Sequence, residues 1–268
     1  MKKGIQMVAF GGMDIKEAFK MAAKYGFDGV EINFNSETKD VGLTTTKADA
    51  DKIVSYAKEA GIKIPSICAA WPPLTSNSAD ERKSAIEYVK KAIEVASWVG
   101  ADTVLVVPGT VTEEVSYDVA CERSKAAMLE IAPVAEKFKV YVGIENVWNK
   151  MLLSPLEVKA FIESINKPYI KFYFDVGNVL ISGYPEQWIR ILGKHIKKIH
   201  LKDFNTSTGN ITGFVDLLEG DVNWKNVQEA LKDINYDDFV TAEYWPHKFF
   251  RETMIEKLSI SIDRIIGK

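Results

Sequence analysis

The stretch 140-VYVGIENVWNKMLLSPLEVKAFIESINKPYIKFYFDVGN-178 decides the fold. Val140–Glu145 is a short apolar run suited to a buried strand. Ser154-Pro155-Leu156-Glu157 then starts a helix, with a Ser cap, Pro at the first position and Glu at the third. Ile170–Asp175 is a second buried run. Strand, helix and strand within 40 residues make a parallel crossover unit.

The same unit recurs in both directions. Upstream, strands are expected at Ile5–Phe10, Gly29–Asn33, Lys63–Cys68 and Thr103–Val107. Helices are expected over Asp14–Tyr25, Ala48–Ala60, Asp80–Trp98 and about Ser116–Phe138. In the first, Ile15, Ala18, Phe19 and Ala22 share one face, with a capping-box-like start at Asp14 and Glu17 and a stop at Gly26. Downstream come a helix near Pro185–Leu192, a strand at Ile196–Leu201 and a long polar loop over Asp203–Asp221. The helix Trp224–Ile234, the strand Phe239–Glu243 and a last helix at about Phe249–Ile266 follow. Eight strand–helix units in 268 residues predict a single (β/α)8 TIM barrel spanning 1–268. A doubly wound open sheet is the rival, but no GxGxxG follows the first strand and no P-loop is present.

Composition is that of an ordinary globular protein: 47% hydrophobic, 26% charged and a net charge of -3. No dense Lys/Arg run points to nucleic acid. Lys197 and Lys198 read as a solvated strand end. Cys68 and Cys121 have no CxxC spacing and suggest a reduced setting. No signal peptide or long apolar segment is read, so a cytoplasmic location without membrane contact is expected.

Barrel active sites form at the C-terminal tips of the strands. Strands five to eight end in Gly143-Ile144-Glu145-Asn146, Tyr173-Phe174-Asp175-Val176-Gly177-Asn178, Ile199-His200-Leu201-Lys202-Asp203 and Thr241-Ala242-Glu243-Tyr244-Trp245. One carboxylate at a strand end is more often a loop cap or an ion-pair partner, and one His more often a core residue. Four in consecutive strands at one level point to a shared cation, because buried charge is costly unless paired. Glu145, Asp175, His200 and Glu243 are therefore expected to hold one divalent metal. Three carboxylates and an imidazole favour Mn2+, with Mg2+, Co2+ or Zn2+ as alternatives. Their formal charge of -3 exceeds the +2 of the ion, so one carboxylate shares a proton or leans on a nearby Lys.

Further candidates lie around this set. Glu31, at the second strand tip, is expected to contact substrate or form a plain ion pair. Trp148 and Trp245 are expected to form apolar walls of the site, while Trp71 reads as loop packing. Lys202 is expected to hold a phosphate or neutralise the carboxylates. His195 falls in the turn before strand seven, His247 at the surface, and Cys68 reads as a small apolar lining residue.

The segments Gly143–Asn149, Phe174–Asn178, Lys198–Asp203 and Ala242-Glu243 together resemble the xylose-isomerase-like TIM-barrel superfamily. The likeness is to its ketose and ketose-phosphate 3-epimerases, related to the tagatose/psicose and L-ribulose/L-xylulose-5-phosphate enzymes. Leu217–Trp224 strengthens the sugar-phosphate side. The resemblance implies the metal ligands Glu145, Asp175, His200 and Glu243, with Glu145 and Glu243 doubling as the acid/base pair. Asn178 stands where tagatose epimerases carry a substrate-contacting His. Those relatives also have an Arg shortly after the metal-binding His, whereas Lys202–Asn210 contains Lys and no Arg.

Such a site suits 3-epimerisation of a sugar or sugar phosphate. A proton leaves the carbon beside the ketone, an enediolate forms, and a proton returns on the other face. The alternatives are an aldose–ketose isomerase on the same site, a dehydratase of a keto-inositol-type cyclic sugar, or a non-enzymatic sugar-binding barrel. An apurinic endonuclease needs more histidines than the three present. A homo-oligomer is an expectation from the resemblance.

Overall fold

The computed structural model describes residues 1–35 and 40–268. Eight parallel strands close into a barrel in the order β1-β10-β7-β6-β5-β4-β3-β2. They are β1 (Lys2–Gln6), β2 (Gly29–Asn33), β3 (Ile67–Cys68), β4 (Thr103–Val106), β5 (Tyr141–Glu145), β6 (Ile170–Asp175), β7 (Ile196–Leu201) and β10 (Phe239–Ala242). The helices are α1 (Ile15–Lys24), α2 (Lys47–Ala60), α3 (Ala79–Val99), α4 (Tyr117–Phe138), α5 (Pro155–Ile165), α6 (Pro185–Leu192), α7 (Trp224–Asp233) and α8 (Arg251–Ile266). This is the (β/α)8 barrel, and the open sheet is excluded by the pairing of β1 with β10.

Local chemistry explains most boundaries. Ser154 accepts a hydrogen bond from the Glu157 N–H, and Pro155 opens α5. Thr46 and Asp49 form a reciprocal capping box on α2. Asp14 caps α1 through the Lys16 N–H, not through a box with Glu17.

Four expectations need correction. The first strand is Lys2–Gln6, and the apolar run Met7–Phe10 turns into a 3-10 helix ended by Gly11 in the left-handed region. A short apolar run has no period that separates strand from helix. The third strand shrinks to Ile67–Cys68, because Pro65 has no N–H for the ladder. The loop 203–221 contains an antiparallel hairpin of β8 (Asp203–Phe204) and β9 (Phe214–Val215). Lys198 is not a solvated strand end: it is 2% exposed, within 3.0 Å of both Asp102 and Asp238.

Apolar residues of the helices and the outward strand faces form one continuous core. Inside the barrel, by contrast, alternate residues of β2, β6 and β7 are polar: Glu31, Tyr173, Asp175 and His200 are all fully buried. Buried groups of this kind are retained only with partners, and those partners define the site.

Candidate active site

Pairing sets the level of each side chain. Asp175 lies opposite His200 across β6 and β7, and His200 lies opposite Thr241 of β10. Strand alternation then turns Glu243 inward, two residues beyond Thr241. Glu145 ends β5 opposite Tyr173. One ligand atom from each of Glu145, Asp175, His200 and Glu243 falls within 4.8 Å of the others.

His200 is the hub. Its Nδ1 lies 3.1 Å from Glu145 Oε1 and 3.2 Å from Glu243 Oε2. Its Nε2 points the other way, 2.8 Å from Glu31 Oε1. The Lys202 ammonium sits 2.6 Å from Glu243 Oε2 and 3.1 Å from Asp175 Oδ2. Lys202 is thus buried among the carboxylates, in the neutralising position expected as one of its two roles. Neither carboxylate oxygen beside it accepts a well-aligned hydrogen bond, although both are buried.

This donor set fits a divalent cation. It offers three carboxylates and an imidazole, with two orphaned buried oxygens among them. With a neutral imidazole, the three carboxylates sum to -3, and a divalent ion plus the Lys202 ammonium would cancel that charge.

The carboxylates differ in proton affinity. Burial pushes Glu145 up to about 7, with the Glu243 charge adding to the effect and His200 opposing it. Burial also pushes Glu243 up, but the Lys202 and His200 charges outweigh it and hold the group below the usual carboxylate range. Burial disfavours the charged forms of His200 and Lys202. The carboxylates around each nevertheless hold both well above their ordinary values.

The other candidates fall in different places. Glu31 is not at the mouth; it lies beneath His200, with Oε2 accepting from Ser66 Oγ at 2.6 Å and from the Tyr173 hydroxyl at 2.7 Å. Of the two roles expected for Glu31, this is the ion pair, made with His200. Asn178 spends its amide N–H on the Asn146 carbonyl at 2.8 Å, and its backbone N–H on Asp175 Oδ1 at 2.7 Å. Trp148 packs against Phe204 and Phe214 of the hairpin, its ring N–H donating to the Asn178 carbonyl. Trp245 is exposed beyond β10. His195 is buried in the turn before β7, 3.3 Å from Glu163 Oε1, and His247 lies 3.5 Å from Asp216 Oδ2. Cys68 is buried, and burial raises its thiol well above the ordinary value, with Glu31, Glu243 and Glu145 adding to the effect. It lines a cavity of ≈ 650 Å³ whose walls include Phe34, Trp71 and Tyr88, so Trp71 borders open space.

Three participants were not anticipated. Asn146 ties β5 to β6 by a two-way bond, donating to the Asp175 carbonyl and accepting from the Asp175 N–H. Ser66 and Tyr173 hold Glu31. Tyr173 was legible in principle, since it precedes Asp175 by two and so shares its face.

Comparisons with known proteins agree with this fold. A family model described as "Xylose isomerase-like TIM barrel" matches residues 19–263. The L-ribulose-5-phosphate 3-epimerase of Salmonella paratyphi A is 25% identical over 234 residues, covering 85% of this chain and 81% of that one. A crystal structure of a D-psicose 3-epimerase in the presence of D-fructose superposes with a TM-score of 0.84, at 18% identity and full coverage of both chains. The IOLI protein with a bound zinc atom gives 0.82 at 17% identity, over 100% of this chain and 98% of that one. The chain therefore belongs to the xylose isomerase-like TIM-barrel family.

Proposed function

We propose that the protein is a divalent-metal-dependent 3-epimerase of a ketose or ketose phosphate, acting as one catalytic domain. The observation that carries this reading is the convergence of Glu145, Asp175, His200 and Glu243, with two glutamates of unlike proton affinity on β5 and just beyond β10.

In this reading the four residues hold one metal, Mn2+ being favoured by the oxygen-rich set. When bound, the ion supplies positive charge beside the ketose carbonyl and neighbouring hydroxyl, lowering the cost of an enediolate. Glu243, kept ionised by the Lys202 ammonium, accepts the proton at carbon three. Glu145, on the other side of the bound sugar, delivers a proton to the opposite face. In the reverse direction the two exchange roles. Lys202 keeps Glu243 and Asp175 from repelling each other. Trp148, braced by Phe204 and Phe214, forms an apolar wall that limits water. Asn178 and Asn146 fix Asp175, and Trp245 contributes a second wall. A cytoplasmic oligomer acting on small sugars, without nucleic-acid or membrane partners, completes the proposal. Among the described residues no helix is long and apolar enough to cross a membrane.

The test is incubation with ketoses and ketose phosphates plus Mn2+ in D2O, followed by NMR of the sugars. Deuterium at carbon three with appearance of the epimer is expected. Exchange confined to carbon one would replace the epimerase with an isomerase. Loss of water with a new enone absorbance would indicate a dehydratase. Binding without any exchange would make the barrel a non-catalytic receptor.

A further inference from the structure

Glu31 is an ionisable group that the proposed reaction does not use. It lies in the middle of β2 and is completely buried. A carboxylate there is expensive unless every lone-pair direction is served. It is served on both sides: Oε1 faces His200 Nε2 at 2.8 Å, and Oε2 accepts from Ser66 and Tyr173. Three different strands or their approaches therefore contribute to holding one oxygen pair against one imidazole.

The consequence is a choice of tautomer. An ionised carboxylate only accepts hydrogen bonds, so the Nε2 that faces it carries the proton. In neutral His200 the lone pair then lies on Nδ1, the nitrogen aimed at Glu145 and Glu243. The ring cannot swing away from this orientation. The Tyr173 ring lies tilted against it with centroids 4.5 Å apart, and the same Tyr173 hydroxyl pins Glu31. Tyr173 thus restrains both partners of the bond.

We propose that Glu31 is a positioning residue that fixes His200 as the Nε2–H tautomer and so sets the affinity of the four-residue cluster for a divalent ion. This rests on reading that cluster as a metal site. The arrangement serves binding, not proton transfer, because Glu31 has no path to the sugar: His200 stands between them. The carboxylate also makes the imidazole a better donor to the ion by drawing on its N–H, an effect that outer partners of metal-bound histidines exert generally.

The experiment uses the full-length protein and three variants, E31Q, E31L and Y173F. Mn2+ affinity is measured by calorimetry. The ring nitrogens are read by long-range 1H–15N NMR on Zn2+-loaded protein, which is diamagnetic. With three histidines in the chain, His195 and His247 serve as internal references. Wild type should show His200 protonated at Nε2 and bound through Nδ1. E31Q should weaken Mn2+ binding by roughly 10–100-fold. E31L, which removes the acceptor, should weaken it at least as much and scramble the tautomer. Y173F keeps the ring and should cost only several-fold (about 3–10-fold), within the range for a lost outer hydrogen bond. In every variant the His195 and His247 signals should stay in place, reporting an intact fold should E31L prove too disruptive to interpret alone. Wild-type affinity in folded E31Q, or an Nδ1 proton on His200 in the loaded wild type, would overturn the assignment of Glu31. Failure of the wild type to bind Mn2+ or Zn2+ would instead overturn the metal reading, and this proposal with it.

Discussion

At Glu145 and Glu243 the same residue type meets two environments. Glu145 has burial and a neighbouring carboxylate acting against its charge, whereas Glu243 has an ammonium at 2.6 Å. Replacing either by Gln keeps the shape and removes the group that would carry the proton in the proposed reaction. E145Q and E243Q should each lower turnover by at least about 10²-fold, the low end for a lost general acid or base. Near-normal rates in a folded variant would remove that residue from the mechanism. The four clustered residues were legible in the sequence because each ends a strand, and the strand-end position fixes depth without knowledge of neighbours. Glu31 was visible too, and of its two expected roles the ion pair is the one present. It stands in the middle of a short apolar strand, and its distance from the mouth depends on the stagger between β2 and β7, which no local pattern records. Asn178 and Lys202 were likewise visible, while the pairing of Asn178 with Asn146 and of Lys202 with Asp175 depends on how neighbouring strand ends meet.

Among the elements, the hairpin β8–β9 shows how one side chain can organise a loop. The buried Asp203 carboxylate accepts from the N–H groups of Phe204, Leu218 and Val222 and from the Trp224 ring N–H, at 2.8–3.2 Å. Gly220 makes room for it, since a Cβ there would lie 2.2 Å from Asp203 Oδ1. The segment Leu217–Trp224 is therefore a wrapping around one carboxylate, and β9 just before it carries Phe214 onto Trp148. Removing the acceptor in D203A leaves buried donors unpaired and should cost about 3 kcal/mol. Thermal unfolding and protease cleavage between 206 and 216 measure it, and an unchanged melting point with unchanged cleavage would refute the role. From sequence this segment read as polar loop, because strands of two residues are shorter than any window that reveals alternation. The helices were easier. Ser154 with Pro155, and Gly26 after α1, announce their ends through chemistry confined to a few neighbouring residues.

The barrel as a whole has two ends with opposite tasks. One gathers carboxylates around His200 and Lys202, while the other is closed by ion pairs around the start of β7. There Lys198 is buried and Lys197 partly so, and both reach Asp102 and Asp238 within 3.0 Å. Asp102 precedes β4 and Asp238 precedes β10, so these contacts join three strands across the base. Burial alone would raise both aspartates. The two lysines outweigh it, holding Asp102 and Asp238 below the ordinary carboxylate range. A folded-state value below the unfolded one, about 3.9, means the folded form binds protons less readily. The stabilisation is complete above about pH 4 and fades as the pH falls through the lowered native values. D238N removes one of the two groups responsible. At pH 7 it should be less stable than wild type, by about 1–3 kcal/mol for a mostly buried charged partner. On acidification from about pH 4 to pH 2 the two stabilities should converge, because the wild type gives up what the variant already lacks. Urea unfolding at stepped pH measures both curves. If they run parallel through that window, the aspartate contributes nothing through its charge, and the base is held by packing alone.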